Sequence, residues 1–537
     1  MKIGLFHGYE LTGSGSNEYT RYLARSIHSD GHEVHVICRE TNPDKLPFFN
    51  KVFKWSAQGE KGVLKNSSKD TVNCVLHILP ESEIYPVYVT DKQRGSKARA
   101  FINLTDGELE DYLQFYEKVL ETILREVQLD ILHCNHLVYQ PIIAQNPCLN
   151  TGTPFIIFPH GSSIEYTIRP DKRFYNQAIK ALEKCNGLII GNEEVRDRIT
   201  TLYPEHKKMI LDKTKIVGVG VDTSLFCPVK YCDRPSSIDK LISEKLKQGK
   251  SPEQSCELRE KLSLGDWNSL AEYRNAYNEY APDSNIKDKL KSVNWDQKVM
   301  IFVGALTAGK GLQTLITAMP EILNKRANTQ LIIVGSGAYR EVLEGLVYAI
   351  ENGDLKLLDY LVENGFDLDR GELKGPWNDV KTYLADPKNR KTILENGQKV
   401  KDRIHFTGRL GHDHLQHLFP CADLAIFPSV VPEAYPLVLM ESLANGVLPM
   451  VSYFSGFKDG IDELKDKITE NIWKYMKFPM EADKRVPVLI KNITHILGDK
   501  NLAKTKDGLH SIAVKNYDWK LIASQMVKEY KTFQPAN

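Results

Sequence analysis

No segment of the 537-residue chain strings together the roughly 18 apolar residues that a membrane-crossing helix needs. The opening Lys2-Ile3-Gly4-Leu5-Phe6-His7 is too short an apolar run for a secretory leader. No small-residue cleavage site follows it, so it reads as a first strand. Charge of one sign is also missing. Seventy Lys and Arg face 69 Asp and Glu, and the net of +1 gives no global field toward nucleic acid or a membrane surface. Only a local basic or amphipathic patch leaves room for a peripheral membrane contact. Nine cysteines are scattered with no C-x-x-C pair, which fits free or buried thiols in a reducing compartment and argues against a disulfide framework. Cytoplasm is the expected location. Internal repeats and low-complexity tails are absent, and no G-x-S-x-G is present, which argues against the hydrolases built on that turn.

Present instead is an alternation of short apolar runs with helical segments, the pattern of βαβ units and a parallel sheet. In the first half it predicts strands at Ile3–Phe6, Glu33–Ile37, Ile131–Cys134, Phe155–Phe158 and Gly187–Gly191, with helices at Asn17–Ser29, Leu109–Val127 and Phe174–Glu183. The series restarts with strands at Val299–Val303, Gln330–Val334, Ile404–Phe406, Leu424–Phe427 and Leu448–Val451 and helices at Leu312–Asn324 and Pro436–Asn445. Two doubly wound halves are expected, each with a βα turn able to hold phosphate. Segments 230–293 and 341–400 are polar, charged and without strand pattern. They read as mostly helical insertions, the first offering surface to cap a cleft or to make an oligomer contact.

Four motifs bear on chemistry. Gly304-Ala305-Leu306-Thr307-Ala308-Gly309-Lys310-Gly311 follows a strand and opens a helix. It lacks the Ser or Thr of a nucleoside-triphosphatase loop and no acidic strand end accompanies it, so it is either a phosphate cradle with a Lys or a tight turn with a solvated one. Glu433 and Glu441 stand eight positions apart around a helix start, with Pro436 expected at the first helical position and the amides of Leu437 and Val438 open to an anion. Such acids are either partners of the helix dipole or acceptors for a diol such as ribose. His160-Gly161 closes an apolar strand, at the edge where parallel sheets bind ligands. The loop Gly13-Ser14-Gly15 after the first strand resembles a dinucleotide turn without the full glycine pattern, and Cys38-Arg39-Glu40 matches the acid of such a site imperfectly. His133 and His136, and His412, His414 and His417, have metal-like spacing without a convincing set of further ligands, so no metal is expected.

Taken in order, these motifs resemble the nucleotide-sugar glycosyltransferases of family 4, which have the GT-B fold. The family's E-x7-E falls on Glu433 and Glu441, and its G-R-L-x-x-x-K-G on Gly304 to Gly311. Gly31-His32-Glu33-Val34, Gly220-Val221-Asp222 through Phe226, and Tyr517-Asp518-Trp519 match further family segments. The resemblance implies an α/β chain of two Rossmann-like domains facing a cleft, with the two insertions added. The expected limits are 1–229, 230–293 as insertion or linker, and 294–519, with a helix of about 520–537 packing back on the first domain.

It also implies roles. Lys310, Glu433 and His160 would serve the reaction. Gly15, Gly304, Lys310, Arg409, Leu410, Glu433, Leu437, Val438 and Glu441 would hold the donor, and Gly13, Ser14, His160 and Gly161 would face the acceptor. Family resemblance implies retention of anomeric configuration, no obligatory cofactor, and a donor of UDP, GDP or ADP type, with UDP-glucose as the commonest. Neutral net charge favours a small soluble acceptor. Departures are Ala305 at the family Arg, which removes a cation from the diphosphate, Pro436 at a common Gly, and Ser455-Gly456-Phe457-Lys458-Asp459 in place of G-G-x-x-E. Arg409, Lys458 or an insertion residue is the expected substitute for the lost cation. Ala305 also motivates the alternative of a non-catalytic or regulatory protein. A sugar phosphorylase or a nucleotide-sugar epimerase on the same fold stands beside it.

Overall fold

A computed structural model describes residues 1–13, 15–67, 72–88, 98–273, 276–369, 371 and 373–534. The chain divides into two compact units, one of Met1–Gly220 with Tyr517–Asn537 and one of Val221–Asn516. The first limit falls before the expected 229, and segment 230–293 groups with the second unit. Among the described residues no helix is long and apolar enough to cross a membrane.

The first unit is built on a nine-stranded sheet. Its strands are β1 (Lys2–Phe6), β2 (Glu33–Cys38), β3 (Lys51–Trp55), β4 (Lys61–Asn66), β5 (Cys74–Ile78), β8 (Ile131–Asn135), β9 (Phe155–Phe158), β10 (Gly187–Ile190) and β11 (Thr214–Ile216), with β6 (Tyr85–Val87) and β7 (Ala98–Ala100) forming a separate pair. The order is β11-β10-β9-β8-β1-β2-β5-β3-β4, parallel except for the β3–β4 hairpin. β1, β8, β9 and β10 are buried almost end to end, as strands are when both faces of a parallel sheet are covered. The strand order reverses between β1 and β8, which pair in register from Ile3–Ile131 to Phe6–Cys134.

The C-terminal helix Trp519–Thr532 completes this unit. Trp519 stacks on Tyr22 and meets Tyr19 edge-on, and a side chain at Gly220 would overlap the indole. Tyr530 Oη lies 2.6 Å from Nδ1 of the buried His133.

The second unit carries a six-stranded, all-parallel sheet of β12 (Lys298–Val303), β13 (Thr329–Val334), β14 (Ile404–Gly408), β15 (Leu424–Phe427), β16 (Leu448–Ser452) and β17 (Lys477–Phe478) in the order β14-β13-β12-β15-β16-β17. This is the doubly wound arrangement, and its reversal lies between β12 and β15. Both additions are mostly helical: Arg234–Ser243, Pro252–Ser263, Ser269–Glu272 and Ile286–Ser292 in the first, Arg340–Asn352, Leu355–Asn364, Asn378–Ala385 and Pro387–Asn396 in the second.

A buried charge network joins the two additions. Lys250 Nζ lies 2.9 Å from both Glu341 and Glu344, and Arg340 forks onto Asp283 while its Nε reaches Glu344 at 2.8 Å. Tyr277 Oη donates to Glu341 and Ser255 Oγ to Glu344. Each carboxylate therefore faces a cation, the condition for burying it.

Candidate active site

Ligands of doubly wound sheets bind outside the carboxyl ends of the strands where the order reverses. In the second unit that point is framed by the loops leaving β12 and β15, and the backbone stitches the two together. Val430 N donates to Gly309 O at 2.8 Å. Gly311 has φ +71, and a Cβ there would stand 1.7 Å from Pro428 O. The position where a triphosphatase loop carries a hydroxyl is therefore held to glycine by the contact between the loops. Ser429 Oγ, with one proton to share, lies 3.1 Å from Gly309 O, 3.0 Å from Val431 O and 3.2 Å from Glu433 Oε1.

This stitching brings Lys310 and Glu433 into contact, Nζ to Oε1 at 2.5 Å, with side chains 31% and 20% exposed. Glu433 is gripped from behind. Its carbonyl accepts from Gly456 N at 2.8 Å and Ser455 Oγ at 2.9 Å. Ser455 has φ +51, and a Cβ on Gly456 would lie 2.4 Å from Ala434 O. Two small residues are needed because the first turns left-handed and the second sits on the Glu433 loop.

The helix after Glu433 is Leu437–Ala444. Pro436 is not its first residue: it is extended, with φ −80 and ψ 97, and caps the helix from outside. The first amide to bond back is Leu439, to Pro436 O at 3.0 Å, which leaves the Leu437 and Val438 amides ahead of it at the positive end of the helix. Glu441 is 6% exposed, with His412 Nε2 3.3 Å from Oε1. His412 opens the helix His412–Leu418 after β14, and its ring meets Phe226 edge-on. The sequence reading set His412 aside with the metal-like histidines; its position just past the carboxyl end of a predicted strand was the available signal. Among the described residues no group of three His, Cys, Asp or Glu is arranged to hold a metal ion.

Arg409 and Leu410 follow β14. Leu410 is buried, and the Arg409 guanidinium lies 4.6 Å from the centre of the Tyr280 ring. The first addition reaches this edge by its backbone: Arg409 N donates to Ala281 O at 3.2 Å and Asp283 N to Thr407 O at 2.8 Å. Ala305 is exposed on the Gly304 loop, and Gly304 N anchors that loop to Val334 O. Lys458 pairs with Asp462 at 3.1 Å along its own helix.

The first unit holds His160, Gly13, Gly15 and Gly161; Ser14 lies outside the described residues. Gly15 begins the helix Gly15–Ser29, Gly13 N donates to Glu18 Oε1 at 3.2 Å, and Asn17 bridges Thr12 O and His7 Nε2 at 2.7 and 2.9 Å. Gly161 begins a helical turn whose Ser163 Oγ donates back to His160 O. His160 Nε2 is 2.9 Å from Asn135 Oδ1, and Asn135 Nδ2 points to Phe6 O. In that orientation Nε2 carries the proton and Nδ1 is left as an acceptor. Burial, with His7 and His133 nearby, holds the His160 imidazole well below its usual pKa, so it is neutral at pH 7. His136 is held down in the same way, by burial with His160 and His7 beside it.

Comparison with known proteins bears on this geometry. The family described as Glycosyl transferases group 1 matches residues 284–358 and 380–471, from the helix before β12 to beyond β16 with 359–379 left out. An uncharacterized glycosyltransferase of Methanocaldococcus jannaschii is 26% identical over 44% of this chain and 45% of its own length. Lipopolysaccharide 1,2-N-acetylglucosaminetransferase of Salmonella typhimurium is 22% identical over 47% of this chain and 52% of its own. The chain thus spans about half the length of the curated relatives it matches.

Among solved structures, the catalytic domain of starch synthase IV from Arabidopsis thaliana, bound to ADP and acarbose, superposes with a TM-score of 0.57 at 13% identity, over 99% of both chains. Sucrose-phosphate synthase from Thermosynechococcus elongatus gives 0.55 at 15% identity, over 99% of this chain and 98% of that one. Anabaena HepE in complex with UDP-glucose gives 0.52 at 13%, over 99% and 100%. At these identities the likeness is one of fold, and the fold is GT-B. The family match lies within the second unit and covers about a third of the chain.

Proposed function

We propose that the protein is a retaining glycosyltransferase that moves a sugar from a nucleotide-diphosphate donor, UDP-glucose in the first instance, to a small acceptor. The observation that carries the reading is the meeting of Lys310, Glu433, the Leu437 and Val438 amides and the buried Glu441 around one sheet reversal. In this reading Glu441 accepts from the donor ribose, Arg409 and Leu410 border the base, and Gly304 lets the loop approach the phosphates. Glu433 contacts the sugar. As the anomeric C–O bond breaks, its electron pair leaves with the diphosphate while the acceptor oxygen bonds to the carbon and gives its proton to the departing diphosphate oxygen. Lys310 and the helix amides stand where the new negative charge grows, so they stabilise the transition state more than the ground state. On the acceptor side, neutral His160 offers Nδ1 to a hydroxyl, with Gly13 and Gly161 shaping the approach, while Gly15 faces the donor.

Calorimetric titration with UDP, GDP and ADP tests the donor class. Selective binding of UDP, weakened about tenfold or more in Glu441→Ala by loss of a charged hydrogen-bond acceptor, is the expected result. Binding of none by folded protein would transfer the case to a second reading. That reading, favoured by Ala305, is a non-catalytic GT-B protein, and turnover above uncatalysed donor hydrolysis would end it.

A further inference from the structure

The reversal point of the first sheet, between β1 and β8, gathers polar atoms that the reading above leaves unused. Arg39 directly follows β2 and is 8% exposed. Its Nε donates to Gly8 O at 2.7 Å, and its guanidinium lies 3.8 Å from the centre of the Tyr85 ring and 5.7 Å from that of Tyr9. Nη1 is buried without a hydrogen-bond partner. Among the described residues no carboxylate is within ion-pair distance of Arg39; the phenols of Tyr9 and Tyr112 lie around it, and that of Tyr116 is within hydrogen-bonding reach of the guanidinium, away from Nη1. The neighbouring acids are engaged elsewhere. Glu40 accepts from the amides of Leu11, Thr41 and Asn42, and Glu10 accepts from Thr41 Oγ1. Burial cannot neutralise a guanidinium, and the phenols around Arg39 hold its pKa above the ordinary value despite the burial.

A second orphan is linked to it through Tyr9. The Tyr9 ring, which faces Arg39, is 6.1 Å from the ring of His136, and His136 is 4.7 Å from His160. His136 is 1% exposed, has φ +66, and neither of its ring nitrogens has a hydrogen-bond partner. Tyr139, three residues on, has φ +73 and a buried, unpartnered hydroxyl. Buried polar groups are usually paired, and Arg39 and His136, which share the Tyr9 ring as a neighbour, point to a ligand that completes them.

We propose that this cluster binds the acceptor and that the acceptor is a small hydroxylated anion, its phosphate or carboxylate on Arg39 and a hydroxyl on His136. The word acceptor rests on the glycosyltransferase reading; the anion site does not. A guanidinium matches either anion with two parallel N–H donors, and a neutral imidazole both donates to and accepts from a hydroxyl.

The test is calorimetric titration of the full chain, with and without UDP, using glucose 6-phosphate, glucuronate and glucose as probes. Anionic probes should bind at least tenfold tighter than glucose, and the difference should shrink as salt is raised. Whichever of phosphate and carboxylate binds tighter names the anion. In Arg39→Gln the anionic probes should lose about ten- to hundredfold in affinity, the worth of charge-assisted hydrogen bonds, with UDP binding unchanged. Arg39→Lys, which keeps the charge, should recover part of it. Equal binding of glucose and glucose 6-phosphate by wild-type protein overturns the anion site whether or not the variants fold. So does full retention of anion affinity in folded Arg39→Gln, which would leave Arg39 a structural partner of Tyr85. If anions bind through Arg39 but no nucleotide binds, the anion site stands and the glycosyltransferase reading falls. Nucleotide binding without anion preference has the opposite meaning.

Discussion

Replacing Glu433 by Gln separates two roles that the structure joins. Lys310 is held by Glu433 at 2.5 Å, and both side chains are partly exposed. An ion pair at such a site is worth about 0.2–1 kcal/mol. A diphosphate arriving at Lys310 has to displace that carboxylate and meets its negative charge as well. Gln keeps an oxygen for Nζ and the bond to Ser429, so the loop should hold its shape. The UDP dissociation constant should therefore fall, by up to about fivefold from the released pair, with a further gain that shrinks as salt is raised. Transfer should move the other way, because the sugar contact is lost. The measurement is calorimetric titration with UDP at two ionic strengths, alongside single-turnover transfer. In Lys310→Ala, UDP should bind more weakly and turnover should drop by more than about tenfold; adding Glu433→Gln to it should bring back only the salt-sensitive part of the gain, because the part from the released pair passes through the ammonium. Unchanged or weaker UDP binding by folded Glu433→Gln would refute the idea that the diphosphate and Glu433 compete for one cation.

Two further outcomes follow from burial. Lys250→Met should destabilise the second unit by about 3–5 kcal/mol in urea, since it leaves the buried Glu341 with the Tyr277 hydroxyl in place of a cation and Glu344 with Arg340 alone; a change under about 1 kcal/mol would show that the network contributes little. Stability should fall as pH drops from 7 to 5. Burial pushes His133 down to about 3 and His405 to about 4, so between those values and about 6.5 the unfolded chain binds more protons than the folded one. The loss is on the order of 1–2 kcal/mol per imidazole at pH 5, and identical urea midpoints at both pH values would refute it.

What the sequence made legible were the apolar strands that fill the centre of each sheet, such as Val299–Val303 and Phe155–Phe158, because a strand covered on both faces needs no polar alternation. Several of the strands it did not reveal, β3, β4 and β5, lie toward one edge of the first sheet. β4 is exposed along its whole length and reads as Lys-Gly-Val-Leu-Lys-Asn, which is indistinguishable from a loop. β5 is fully buried but carries His77, whose Nδ1 accepts from the Trp55 indole while Nε2 meets His35; a polar residue satisfied by a distant partner breaks the apolar pattern. At the candidate donor site the motif spacing located the two loops. Their contact through Lys310 and Glu433 depends on β12 lying beside β15, which no local pattern states. Arg39 and His136 were unreadable as a cluster for the same reason. Three separate strands bring their loops together, and a buried, unpaired Arg is the rarest reading of that residue.

The C-terminal helix gives the chain an order of assembly. Trp519 and Tyr530 seal the first unit against Tyr22, Gly220 and His133, yet they are made after all of Val221–Asn516. At about 5–20 residues per second, a ribosome needs on the order of 15–60 s to pass through the intervening unit. During that interval the nine-stranded sheet waits with the faces around Tyr22 and His133 open to water. The second unit has its whole sequence earlier and can fold while the first is incomplete. A chain stalled before Trp519 should therefore present a folded second unit joined to a first unit that proteases and chaperones still recognise.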